Sequence, residues 1–122
     1  MANPYCVVLV TAPDKKTSEK LAKGLVEARL AACVNVLPGL SSVYWWQGKV
    51  KTADELLLVV KSRTNLVPEI ITFVRQNHPY STPEVLSLPI LQGNPAYLDW
   101  LGANTLLTKP KPAFERRERQ SA

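Results

Sequence analysis

His78 is the only histidine in the chain, and Glu84 follows it across the segment Pro79 to Pro83. An imidazole and a carboxylate are both ligands for copper or zinc, but bound transition metals want three or four well-placed N, S or O donors. His78 and Glu84 are only two, so the expected metal binding is weak, at the surface and shared between subunits. Cys6 and Cys33 are softer donors that suit copper(I). Both lie in apolar runs, however, where a thiol is a small buried hydrophobe with a raised pKa. No C-x-x-C or Cys/His zinc spacing occurs. His78 also falls at a helix end, where the partial negative charge favours the protonated ring.

Other charged residues suggest less chemistry. Lys61 and Arg63, two apart in a strand, could meet a small anion in a cleft between subunits. Asp54 and Glu55 are neighbours in a strand and face opposite ways, so they are not a paired acid and base, and solvated charge is the expected role of each. The sequence holds no nucleophile elbow, phosphate-binding glycine loop or dinucleotide fingerprint, so no enzymatic activity is expected. The net charge of +5 is mostly terminal: residues 1 to 108 carry ten basic and eight acidic side chains, and residues 109 to 122 carry five and two. A basic, proline-containing end of this kind reads as a solvated tail, and no nucleic-acid-binding motif accompanies it. That tail is the obvious contact for an unidentified protein partner.

These residues must be held by a small α+β body. At 122 residues and 46% hydrophobic, the chain fits one globular domain. No apolar run approaches a membrane span and the start M-A-N-P-Y has no signal-peptide character, so a cytoplasmic protein is expected. Residues 5 to 13, Y-C-V-V-L-V-T-A-P, read as a central strand ended by Pro13. Asp14 caps a helix whose apolar stripe is Leu21, Leu25, Ala28 and Ala32. Residues 32 to 46 form a strand interrupted at Pro38-Gly39 by a bulge or bend, and Gln47-Gly48 makes a two-residue turn into a long strand ending near Arg63. A helix from Thr64 or Asn65 buries Val67, Ile70, Ile71 and Val74 and ends at His78-Pro79. Residues 83 to 91 are a fourth strand near an edge, and Asn94-Pro95 opens a short terminal helix. The order β-α-β-β-α-β is that of the ferredoxin-like fold, with helices on one face of an antiparallel sheet.

The hairpin is too long for this body. Arms of 14 and 15 residues would reach roughly 45 Å at about 3.3 Å per residue. A domain of about 100 residues is only about 33 Å across, taking a radius of gyration near 13 Å. The end carrying Tyr44, Trp45 and Trp46 should overhang and pack against a neighbouring subunit, because free ribbon edges invite pairing. The alternative is a hairpin that curls back over its own helix-free face.

The segments V-T-A-P-D, L-A-A-C-V-N-V-L-P-G, S-V-Y-W-W-Q-G-K, L-V-P-E-I, N-H-P-Y-S-T-P-E-V and N-P-A-Y-L-D-W resemble, in order, the CutA divalent-cation tolerance family. The resemblance spans roughly residues 4 to 104, so residues 1 to 104 are expected to be the domain and 105 to 122 the tail. It implies a ferredoxin-like fold similar to the PII signalling proteins, a homotrimer formed through the hairpin, and a part in tolerance to copper and other divalent cations. Tyr44 and Trp46 match the family's Y-x-W, and Trp45 is an extra aromatic. In the copper-associated bacterial pattern a Cys precedes T-A-P-D and a His-His pair precedes P-Y. Val10 and Asn77-His78 stand there in this chain. The PII likeness also implies a small-molecule or anion sensor as an alternative, and a trimeric scaffold for another protein is a third reading.

Overall fold

The computed structural model of the chain describes residues 3 to 107. The elements run β1 (Tyr5–Ala12), α1 (Lys15–Glu27), β2 (Cys33–Trp46), β3 (Lys49–Arg63), a single 3-10 turn (Thr64–Leu66), α2 (Val67–Asn77), β4 (Val85–Pro89) and α3 (Pro95–Ala103). The sheet is antiparallel with order β2-β3-β1-β4, so β1 is interior and β4 is an edge. Strand alternation divides the sheet into two faces. Cys6, Val8, Val10, Val34, Val36, Leu58 and Val60 point to the helical side, where α1 contributes Leu21 and Leu25 and α2 contributes Ile70 and Val74.

Local chemistry accounts for most element ends. The Asp14 side chain accepts from the Thr17 amide at 2.7 Å and caps α1. The expected α1 stripe needs correcting at its end: Ala28 and Ala32 do not continue it. The helix stops at Glu27, Arg29 takes a left-handed φ of 61°, the Arg29 amide donates to the Val26 carbonyl and the Leu30 amide donates to the Leu25 carbonyl. This is a Schellman closure with arginine in the usual glycine place, and it carries Leu30 into the core beside Leu25. In α2, Val67 and Ile71 flank the buried pair Ile70 and Val74 and are themselves only half buried.

Between Leu37↔Leu57 and Leu40↔Glu55 the β2 strand holds one extra residue, the bulge at Pro38-Gly39. At the hairpin turn both Gln47 (φ 50°) and Gly48 (φ 76°) are left-handed, the backbone of a type I′ turn. The pairs from Leu40↔Glu55 to Trp46↔Lys49 have no third strand beside them, so the ribbon extends beyond the sheet by roughly 20 Å.

The third helix departs from the one-sided arrangement. α3 lies against the other sheet face, where Arg63 donates to the Gly102 carbonyl at 2.8 Å and to the Thr105 hydroxyl at 3.0 Å, with its guanidinium 5.5 Å from the Tyr5 ring centre. Residues 105 to 107 belong to the folded body: Thr105 is buried, and the Leu106 amide donates to the Arg29 carbonyl. The rest of the expected tail lies outside the described residues.

A Cβ at Gly102 would sit 2.5 Å from the Tyr5 hydroxyl and 2.9 Å from the Arg63 guanidinium. Gly102→Ala is therefore expected to destabilise the chain by about 2 kcal/mol, the cost of forcing a packed contact apart. Urea denaturation of Gly102→Ala beside wild type measures this, and an unchanged midpoint would refute the close packing.

Candidate functional site

The ribbon's inner face, with Tyr44, Trp46 and Glu55 in phase, looks across a cleft at the loop Tyr80–Glu84. The cleft encloses about 740 Å³. Thr11 at the end of β1 and Ser42 on β2 add hydroxyls, while Glu55 and Glu84 are the charged residues lining it.

Glu55 was expected to be solvated, and the structure corrects this: the residue is only 8% exposed. The Tyr80 hydroxyl donates to Glu55 Oε2 at 3.1 Å. Burial raises the Tyr80 pKa, and the hydrogen bond to Glu55 and that residue's negative charge raise it further. The neutral phenol is thus maintained as the donor. Asp54, the neighbour of Glu55 in sequence, faces the other way and is exposed.

His78 caps α2 and is 8% exposed. Its Nε2 lies 2.8 Å from the Thr11 carbonyl and its Nδ1 accepts from the Tyr80 amide at 3.1 Å. A carbonyl only accepts and an amide N–H only donates, so the ring is the neutral tautomer with its proton on Nε2. These bonds do not favour the protonated ring expected at a helix end, and within one chain both nitrogens are already engaged. Glu84 lies instead in the cleft with Glu55 and Tyr80. Val10, at the place of the family's cysteine, is a fully buried core residue, and Asn77 donates to the Phe73 carbonyl at 2.8 Å. Among the described residues no three His, Cys, Asp or Glu side chains gather to hold a metal ion. Val10, Asn77 and His78 therefore do not form a transition-metal site within one chain.

The remaining candidates separate. Arg63 is tied to Gly102 and Thr105, so it is not the free anion-binding cation expected, and Lys61 next to it in phase is half buried. Cys6 is buried, and desolvation raises its thiol pKa as expected; Cys33 is only half buried, beside Tyr97 of α3. Trp45, on the ribbon face opposite Tyr44 and Trp46, is 74% exposed. The chain thus does not curl back to cover its own aromatics. Among the described residues no helix is long and apolar enough to cross a membrane.

Sequence reasoning missed Glu55 and Tyr80 as a pair. The available signal was phase: Glu55 alternates with Leu57 and Val59, but the unbroken apolar run around them hides a period of two.

Comparison with known proteins agrees with this architecture. The family profile described as CutA1 divalent ion tolerance protein matches residues 6–104. The "Divalent-cation tolerance protein CutA" of Thermus thermophilus is 52% identical over 99 residues, covering 81% of this chain and 96% of its own. "Protein CutA 1, chloroplastic" of Oryza sativa is 48% identical over 102 residues, of which the match spans 84% of this chain and 58% of that relative. The crystal structure of CutA1 from Oryza sativa superposes with a TM-score of 0.84 at 46% identity, covering 88% of this chain and 98% of that one. A ferredoxin-like sheet with an overlong hairpin and six ordered sequence segments thus come together in one lineage, and the chain belongs to the CutA1 divalent ion tolerance family.

Proposed function

We propose that the protein works as a homotrimer in the cellular response to divalent cations, binding metal weakly at its surface and catalysing no reaction. The observation that carries the assembly is the apolar surface one chain leaves open: Leu37, Leu86 and Leu88 on the sheet face away from α1 and α2, and Val43, Trp45 and Val50 on the ribbon. Exposed apolar surface on both faces of this kind is typical of protein interfaces, and it supports reading Tyr44, Trp45 and Trp46 as contacts to a neighbouring subunit. Support for the cation role comes from the family and from the names of the relatives. The free thiols of Cys6 and Cys33 suit a reducing compartment such as the cytoplasm.

The engagement of His78 argues that metal binding would not run through its ring. Calorimetric titration with Cu²⁺ should give equal affinity, within about twofold, for wild type and His78→Gln, because an imidazole with both nitrogens bonded contributes no ligand. A loss of about tenfold or more in His78→Gln would instead make His78 a ligand, freed or shared on assembly.

A further inference from the structure

Helix α1 turns a row of lysines to the solvent, on its side away from the sheet. We propose that this row docks an acidic helix of another protein, one carrying three carboxylates at the spacing of the lysines themselves. Such docking is separate from any binding of metal.

Lys16, Lys20 and Lys23 are exposed and recur at i, i+4 and i+7, so at 3.6 residues per turn they lie within about 60° of one another, opposite the buried Leu21 and Leu25. They form one stripe, roughly 10 Å long at 1.5 Å per residue. Among the described residues the one ion pair is Lys15 with Glu19, at 3.9 Å, so the stripe lysines have no carboxylate within ion-pair distance. Glu27, four residues beyond Lys23, ends the row.

The arrangement works against the helix that carries it. Like charges at i, i+4 repel, and lysine is disfavoured in a first turn, whose partial positive charge prefers carboxylates. Yet Lys15 and Lys16 open α1, no acidic residue follows the Asp14 cap in the first turn, and no basic residue stands in the last. Charges set against the local rule without a gain in stability mark a functional surface. A carboxylate brought to the stripe from outside relieves both penalties.

Charge also excludes the occupants nearest to hand. A second copy of the chain presents the same lysines, and the chain's own end is basic, with five basic and two acidic side chains in residues 109 to 122. Both are repelled. A straight row two turns long is matched residue for residue by carboxylates at i, i+4 and i+7 of a helix packed alongside. Val26, 40% exposed and one turn on from Lys23, adds an apolar contact at the end of the row. Helix α1 has no aromatic side chain on which a nucleic-acid base could stack or by which the helix could anchor in a lipid surface. The lysines also point away from the sheet, so assembly through the opposite face, where Leu86 and Leu88 lie, leaves them open.

The test uses the full chain in its native assembly. Two rhodamine-labelled, alanine-based helical peptides of identical composition are followed by fluorescence anisotropy at physiological ionic strength. One carries three glutamates at i, i+4 and i+7, and its isomer carries them spread around the helix. The aligned peptide should saturate below about 1 mM and bind at least about fivefold more tightly than the isomer, because exposed ion pairs are individually weak and only the aligned row meets all three lysines. Lys16→Glu together with Lys20→Glu should weaken the aligned peptide about tenfold and leave the circular dichroism spectrum unchanged, since both positions are exposed and glutamate is favoured in a first turn. Equal affinities for the two peptides in wild type would overturn the proposal without reference to any variant. So would undiminished binding in the double variant, or no saturation up to about 1 mM. Tighter binding to duplex DNA or to phosphatidylserine vesicles than to the aligned peptide, at the same ionic strength, would overturn the assignment to a protein partner.

Discussion

A chain carrying both Leu86→Lys and Leu88→Lys is expected to elute as a folded monomer under conditions where the trimer proposed for the wild type is expected to persist. The two leucines are 55% and 47% exposed on edge strand β4, in register with Leu9 and Val7 on the sheet face away from α1 and α2. Substitution at such half-exposed positions changes the stability of an isolated chain by only about 0.5 kcal/mol. In a packed interface the same positions matter far more. Each leucine stops contributing about 1.5–3 kcal/mol of apolar burial, and each lysine has to be desolvated. An assembly that loses this at every subunit contact should dissociate. Light scattering coupled to size exclusion gives the mass, and circular dichroism confirms that the monomer is folded. A double variant that remains trimeric would place the interface elsewhere, and a wild-type monomer at micromolar concentration would end the trimer proposal.

Leu58→Ala is expected to cost about 3 kcal/mol per chain, within the 2–5 kcal/mol typical of leucine truncation in a rigid core. Leu58 is fully buried on interior strand β3, paired with Val10 on one side and Val36 on the other. Its side chain faces the layer formed by α1 and α2, so the cavity would open where two helices and three strands meet. Little can collapse into it, because the neighbouring strands are held by continuous ladders. Guanidinium denaturation at fixed protein concentration reads the effect without confusion from mass action. A loss below about 1 kcal/mol would mean that this region repacks and is not the rigid centre of the fold.

These two variants act on opposite faces of one sheet, and the faces were not equally legible. Val8, Val10, Leu58 and Val60 read correctly as core, since uninterrupted β-branched and leucine runs have few other uses. Leu86 and Leu88 sit in a short run with the same apolar look, yet they are open to solvent in the single chain. Composition alone does not say whether an apolar face is covered by the same chain or by another.

Local interactions were written plainly in the sequence. The Asp14 cap, the Gln47-Gly48 turn, the Pro38-Gly39 bulge and the Asn94-Pro95 helix start each depend on a few adjacent residues, whose side-chain oxygens or backbone limits act over one turn of chain. The ferredoxin-like order and the overlong hairpin follow from counting such elements. The α1 terminus escaped because a left-handed arginine, Arg29, does what glycine usually does.

The site depended on distance. The engagement of His78 was not legible, because nothing near it in sequence announces the Thr11 carbonyl, 67 residues away, that occupies its Nε2. Glu55 looked solvated because its cover, Tyr80, arrives 25 residues later on a different loop. Arg63 looked free until α3 returned to present Gly102 and Thr105 to its guanidinium. A residue's type states which bonds it can form, while its reactivity depends on which are already made. Here those bonds are closed by chain segments that only the folded sheet brings together. The sequence by itself determined the family, the element order and the overhanging ribbon; the tertiary structure alone decided that both histidine nitrogens are hydrogen-bonded within the chain and that a largely buried glutamate faces the cleft.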